Sequence, residues 1–279
     1  MAHKDPKIIE YNIKLLDCSS VDFYLHIDKK SKEDFLFLKD IPVHSHVYFI
    51  SRFNIHWGGQ NQIKAELALF RNAFNKRYDY FHLISGQDIL VKKLDEFLMF
   101  FELNKQDFLK IEREANTKTL ARVKYYHPIS QTNLSRSRIG WGIGLILVQI
   151  QKLFNINRCQ QLSIYFGENW CSLTASFVSF LLKKDNDGFI KKYFYYSGNA
   201  DELYKQTIYK IWTDIKGQDN HTDIPIRYVD WSGNRESPKT LDVDDYDKVN
   251  NGKYLFARKV TSENNLPKKI FNNLTRSGL

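Results

Sequence analysis

Cysteine is scarce in this chain. Three occur among 279 residues, Cys18, Cys159 and Cys171, and none stands in a Cys-x-x-Cys spacing. That excludes a disulfide framework and a structural zinc site, and it fits a reducing, cytoplasmic setting. Long apolar runs are missing too. No stretch approaches the roughly 18 residues that span a bilayer, and no signal peptide opens the sequence. The longest apolar run, Ile139 to Ile150, is too short and carries glycines; it reads as a buried helix or a loop packing segment. The glycine-rich phosphate loop, Gly-x-Gly-x-x-Gly, His-Glu-x-x-His and Gly-x-Ser-x-Gly are all absent. No Asp-x-Asp closes an apolar strand, since Asp242, Asp244 and Asp245 lie in a polar tail. No residues are therefore assigned to a metal.

What is present is basic and aromatic. The net charge is +9, and 15% of residues are aromatic, with 16 Tyr and 20 Phe. The charge favours anionic partners, whether a nucleotide diphosphate, anionic lipid or nucleic acid. The aromatic surplus over what a core needs can line a cleft for a sugar or a nucleotide. Hydrophobic content of 43% with 26% charged residues is ordinary for a globular chain,. No repeat or linker divides it, so residues 1–279 read as a single domain.

The chain alternates strands and helices. Residues 3–5, His-Lys-Asp, read as the turn after a strand, as if a first strand had been clipped. Ile9, Ile13 and Leu16 mark a helix, and VDFYLHIDKKS from Val21 reads as a strand with Asp28 at its C-terminal end. Open α/β sheets bind ligands at such ends. HVYFIS (46–51) is a further strand. Gly58 and Gly59 make a turn, and Ile63, Leu67, Phe70 and Phe74 form a helical stripe. YDYFHLISGQD (78–88) reads as a strand ending at Asp88, and Leu94, Phe97, Leu98 and Phe101 as a helix. The repeated strand-helix-strand order predicts an α/β fold with a mostly parallel central sheet flanked by helices. From 105 to 137 the pattern dissolves into a polar, basic stretch of the kind used as a binding loop or lid.

The stretch from Ser163 to Trp212 organises the rest. Ile164 to Phe166 reads as a strand and Gly167 to Asn169 as a turn, while Leu173, Phe177, Phe180 and Leu181 stand at helical spacing. Ser197, Gly198 and Asn199 are breakers ahead of an apolar stripe of Tyr204, Ile208 and Ile211. That puts Asp201 and Glu202 in the first helical turn, where the macrodipole favours ionised carboxylates. A carboxylate held at such a junction can serve as a general base. Farther on, IPIRYVDW reads as a strand ending in Trp231.

The ordered blocks HIDKKS (26–31), WGG (57–59), YDYFHLISGQD (78–88), ENWCSLT (168–174), DELYKQT (201–207), RYVDW (227–231), SPKTL (237–241) and FARK (256–259) resemble the core-2/I-branching β-1,6-N-acetylglucosaminyltransferase family, which includes peptide O-xylosyltransferases. The resemblance spans nearly the whole chain and implies a GT-A-like fold. It further implies inverting, metal-independent transfer from a UDP-sugar, N-acetylglucosamine by preference, to a glycan or lipid-linked glycan acceptor, with no cofactor. It assigns the base to Glu202, although Ala200 replaces the family's proline. It assigns the diphosphate cations to Lys259 and Lys239, the donor side to Asp28 and Asp88, and the acceptor side to Trp231, Glu112 and Arg122. Direct displacement at an anomeric carbon needs one base opposite the leaving group, and preplaced cations can stabilise the departing diphosphate. A xylosyltransferase or another UDP-sugar user is the alternative within the enzyme class. A catalytically silent carbohydrate- or nucleic-acid-binding protein is the alternative outside it, though no nucleic-acid motif is present and no nucleic-acid partner is expected. Peripheral contact with the inner face of a membrane is expected from a lipid-linked acceptor.

Overall fold

The computed structural model describes residues 1–232 and 237–276, without the side chain of Arg136. In chain order the elements are α1 (Pro6–Leu15), β1 (Phe23–Leu25), β2 (Val47–Phe49), α2 (Gln60–Phe74), β3 (Tyr80–Leu83), β4 (Asp88–Leu90), α3 (Leu94–Leu103), β5 (Asp107–Phe108), β6 (Arg113–Glu114), α4 (Thr117–Lys124), α5 (Arg138–Leu153), β7 (Tyr165–Phe166), β8 (Cys171–Thr174), α6 (Ala175–Asn186), α7 (Phe189–Phe194), α8 (Tyr204–Lys216), β9 (His221–Thr222), β10 (Arg227–Val229), α9 (Tyr246–Val249), β11 (Phe256–Arg258) and α10 (Leu266–Arg276). They gather into two compact units. The first comprises Met1–Ile50, Ile84–Lys105 and Ile224–Leu279; the second comprises Ser51–Leu83 and Gln106–Asp223.

In the first unit β1 and β2 pair in parallel, and β10, β11 and β4 form a second sheet. Helix α1 buries two faces because its apolar residues are not confined to one stripe. Ile8 packs with Ile89, Ala257 and Leu266, whereas Ile9 and Ile13 pack with Leu25, Ile27 and Leu38. Met1 and Ala2 bond on two sides like strand residues. Ala2 N donates to His26 O and Asp28 N to Ala2 O, while Gly86 N donates to Met1 O. The turn read at residues 3–5 then leads into α1, with Pro6 in its first turn.

In the second unit β3, β8, β5 and β9 form one sheet and β6 pairs with β7. Helices α2, α6 and α8 supply its apolar core. Phe177 of α6 lies 4.7 Å from the Tyr209 ring and 5.3 Å from Trp212, both on α8. Asp107 of β5 is enclosed, accepting from Thr174 N at 2.7 Å and Tyr209 Oη at 3.3 Å. Burial pushes its pKa up to about 6,.

The α/β class read from the sequence holds, with mixed pairing. Parallel pairing is found in β1–β2, β10–β11 and β5–β9, but β11–β4, β3–β8, β5–β8 and β6–β7 are antiparallel. The strands are two to four residues long, too short for side-chain alternation to reveal direction. Three local expectations change. Leu173 belongs to strand β8, not to the helix that follows, because that helix begins only after Thr174 caps it through Phe177 N. The stretch 105–137 carries β5, β6, α4 and two short 3-10 turns in place of an open loop. The run Ile139 to Ile150 lies in α5, which is helical as expected but exposed, with only Gly140 of α5 buried.

Candidate active site

In the second unit the chain enters α8 through a 3-10 turn, Ala200–Glu202, after Asn199 adopts a left-handed conformation at φ 48°. The two acids therefore precede α8. Glu202 projects a half-exposed carboxylate, and Arg122 Nη1 of α4 donates to its Oε2 at 2.9 Å. Arg122 also lies over the Phe166 ring at 5.8 Å, and Arg113 lies over the same ring at 5.0 Å. Phe166 thus packs against two guanidinium groups, one of them the Arg122 group that holds Glu202,. Glu112, expected on the acceptor side, stands 3.6 Å from Arg113 and 3.8 Å from Lys110, and Lys110 bonds Glu168 at 2.9 Å. Glu202, Arg122 and Glu112 are thereby brought into one charged surface of this unit. Phe166 sat in the strand read from the sequence, but its partners could not be read there.

Asp201 departs from the expectation of a second ionised helix-start acid. Burial and the nearby Glu66 and Glu202 carboxylates push its pKa up to about 7, outweighing the opposing Lys205 charge,. Its Oδ2 accepts from Gln62 Nε2 at 2.8 Å. Beneath it lies a fully buried ion pair, Lys205 Nζ to Glu66 Oε2 at 2.6 Å. Tyr204 Oη and Asn169 Nδ2 each donate to Glu66 at 2.8 Å, Lys205 also bonds Asn169 Oδ1, and its Nζ reaches Asp201 O at 3.3 Å. This network ties α2, the 168–170 turn and α8 to the segment carrying Glu202. Asn169 and Lys205 stand within the motif blocks, but their pairing is not legible there, because Glu66 lies more than a hundred residues away.

The first unit holds the other assigned residues. The Lys239 and Lys259 segments run alongside each other, with Leu241 N donating to Lys259 O at 2.8 Å. Lys239 already has acidic partners, Asp245 at 2.7 Å and Asp242 at 3.9 Å. The bond to Asp245 raises its pKa. Lys259 bonds Ser237 Oγ, and burial together with the Arg258 and Lys4 charges lowers its pKa. A cation held among cations sits in a positive potential that an anion would relieve. Asp88 is fully buried, accepting from Arg258 Nη1 at 2.9 Å and Ser85 N at 2.8 Å, with Arg227 at 3.6 Å. The β11–β4 register sets Asp88 opposite Arg258, so Asp88 anchors the strand end from which Lys259 continues. Asp28 accepts from Lys30 N at 3.0 Å. His3, which sequence reading treated as turn, has its pKa lowered first by burial and then by Lys4; it also feels the charges of Asp28 and Lys259. Trp231 is 59% exposed, which removes a core role for its ring. Among the described residues no group of three His, Cys, Asp or Glu side chains could hold a metal ion.

No curated protein matches the sequence. The crystal structure of mouse xyloside xylosyltransferase 1 in its apo form is similar at a TM-score of 0.38 and 10% identity, covering 90% of this chain and 91% of that one. The family model for core-2/I-branching enzymes matches residues 3–251. With that match over most of its length, the chain belongs to the core-2/I-branching enzyme family and is a glycosyltransferase.

Proposed function

We propose that this protein transfers a sugar, N-acetylglucosamine in β-1,6 linkage, from its UDP conjugate to a hydroxyl of a glycan or lipid-linked glycan, with inversion and without a divalent metal, on a GT-A-like fold. The observation that carries the reading is the Arg122–Glu202 pair. Arg122 occupies Oε2 of a half-exposed carboxylate and, among the described residues, leaves Oε1 for an acceptor hydroxyl. In the step we propose, the acceptor oxygen attacks the anomeric carbon while Glu202 takes its proton. The bond to the diphosphate oxygen breaks, and UDP leaves with the electron pair. Lys259 offers charge to that departing diphosphate, and Lys239, partly neutralised by Asp245, offers less. Trp231 presents an exposed ring on which a sugar face can stack. Asp28 and Asp88 belong to the donor side, Asp88 by holding Arg258 in place. Residues 1–279 act as one glycosyltransferase domain, and a lipid-linked acceptor would bring the protein to the inner face of a membrane.

The test is a screen of UDP-sugars for binding, donor hydrolysis and transfer. UDP-N-acetylglucosamine should be the preferred donor. Preference for UDP-xylose would replace the donor assignment, and binding of glycans without turnover of any UDP-sugar would sink the enzymatic reading.

A further inference from the structure

Helix α5 is the least expected surface of the molecule. Ile139, Ile143, Ile146, Ile150 and Leu153 follow one another at spacings of four and three, so they form one stripe along the helix. The stripe faces solvent: Ile139 is 70% exposed, Ile146 61% and Leu153 78%. Trp141 and Leu145 are exposed as well, but at about 100° per residue they lie on another side of the helix from the stripe. The helix is held at two points. A Cβ on Gly140 would come within 1.9 Å of Leu134 O, which keeps its first turn against the 133–136 turn. At the other end Gln151 accepts from Tyr126 N at 2.7 Å and donates to Tyr126 O at 3.0 Å.

The stretch of sequence that contains this helix carries charge of one sign. Between Glu114 and Glu168 the sequence contains no aspartate or glutamate and seven lysines and arginines. Two of these, Arg138 and Lys152, sit at opposite ends of α5 and are exposed. We infer that α5 is a membrane-docking element that lies in the plane of an anionic lipid surface, its isoleucine stripe entering the headgroup boundary while Arg138 and Lys152 reach acidic headgroups.

Three features favour lipid as the occupant. At 16 residues α5 is about 24 Å long,, and no described helix is long and apolar enough to cross a membrane, so an in-plane position is the geometry open to it. Long cationic side chains at its two ends suit the interface between hydrocarbon and water. A second copy of the chain would set α5, with Arg138 and Lys152 and no acid of its own, against itself, without the opposite charges that flank the seam of a helix pair,. The inference deepens the membrane contact proposed above, and its test reads lipid binding alone, so it stands or falls apart from sugar transfer.

The experiment is co-sedimentation of the full chain with vesicles of neutral phosphatidylcholine and with vesicles containing roughly one-third phosphatidylglycerol. Binding should be selective for the anionic vesicles and weaken with salt. Ile146→Asp with Leu153→Asp should lower the partition coefficient by at least about tenfold at an unchanged melting temperature. Relative to the wild type, Ile146→Trp should add an emission that shifts to the blue on binding and is quenched by brominated lipid, a readout that does not rely on the aspartate variants. Failure to bind anionic vesicles, equal binding to neutral ones, or an unchanged partition in the double variant would each overturn the proposal. Self-association that the double variant abolishes, in a protein that ignores vesicles, would assign the stripe to a second copy instead.

Discussion

Glu202 and its neighbour Asp201 are one residue apart and differ in environment, which makes them separable by substitution. Glu202→Gln keeps a group that Arg122 can bond and removes the proton acceptor. Transfer should fall by about two to four orders of magnitude while UDP binding, followed by calorimetry, stays near the wild-type value. A variant retaining more than about a tenth of the activity would remove Glu202 from the role of base. Asp201 is a stability group by contrast. Its folded pKa of about 7 lies above the ordinary 3.8, so the folded state binds the extra proton between those values. Stability from this group is complete below pH 3.8 and is lost as pH rises through about 7,. Asp107, raised to about 6, slopes the same way. Asp201→Asn should therefore flatten the fall in melting temperature between pH 4 and 8 and stabilise the protein at the alkaline end, with a milder loss of transfer than Glu202→Gln. An unchanged pH slope would mean that Asp201 is ionised in the fold.

The elements that hold Glu202 were only partly visible as sequence. The block ENWCSLT placed Asn169 on a turn and DELYKQT placed Lys205 on a helix, but neither discloses Glu66, which meets both from the middle of α2. A buried pair that loses one partner leaves an uncompensated charge. Lys205→Met should cost roughly 3 to 5 kcal/mol, read from denaturant melts, and the double variant with Glu66→Leu should recover much of that loss. Gly167 acts at closer range. A Cβ there would come within 1.9 Å of Lys110 O, and its N–H donates to Glu202 O at 3.0 Å. Gly167→Ala should push β7 away from the Lys110 backbone, lowering kcat more than it weakens UDP binding. Equal losses in both would mean general unfolding. Helix α5 shows how periodicity can mislead: spacings of three and four were legible, but which way the stripe faces depends on what packs against it.

For the whole molecule, Lys239 and Lys259 belong to the first unit and Glu202 to the second, so their variants can be read separately. Lys259→Ala should weaken UDP binding by roughly 1.5 to 3 kcal/mol, the range for a charge-assisted hydrogen bond. Lys239→Ala should cost less, because Asp245 already compensates that charge. Wild-type activity should survive EDTA; activity silenced by EDTA and restored by Mn²⁺ would end the metal-free proposal. The sequence alone determined the α/β class, the helices α2, α3 and α8, the basic character and the family, because apolar spacing, charge and ordered motif blocks are properties of neighbours along the chain. Tertiary structure alone decided that Arg122 meets Glu202, that Asp88 is consumed by Arg258, that Asp201 is pushed toward neutrality and that α5 is exposed. Each of these depends on partners brought together through space, and local spacing carries no record of which distant residue will bury a group, pair its charge or leave its face to solvent.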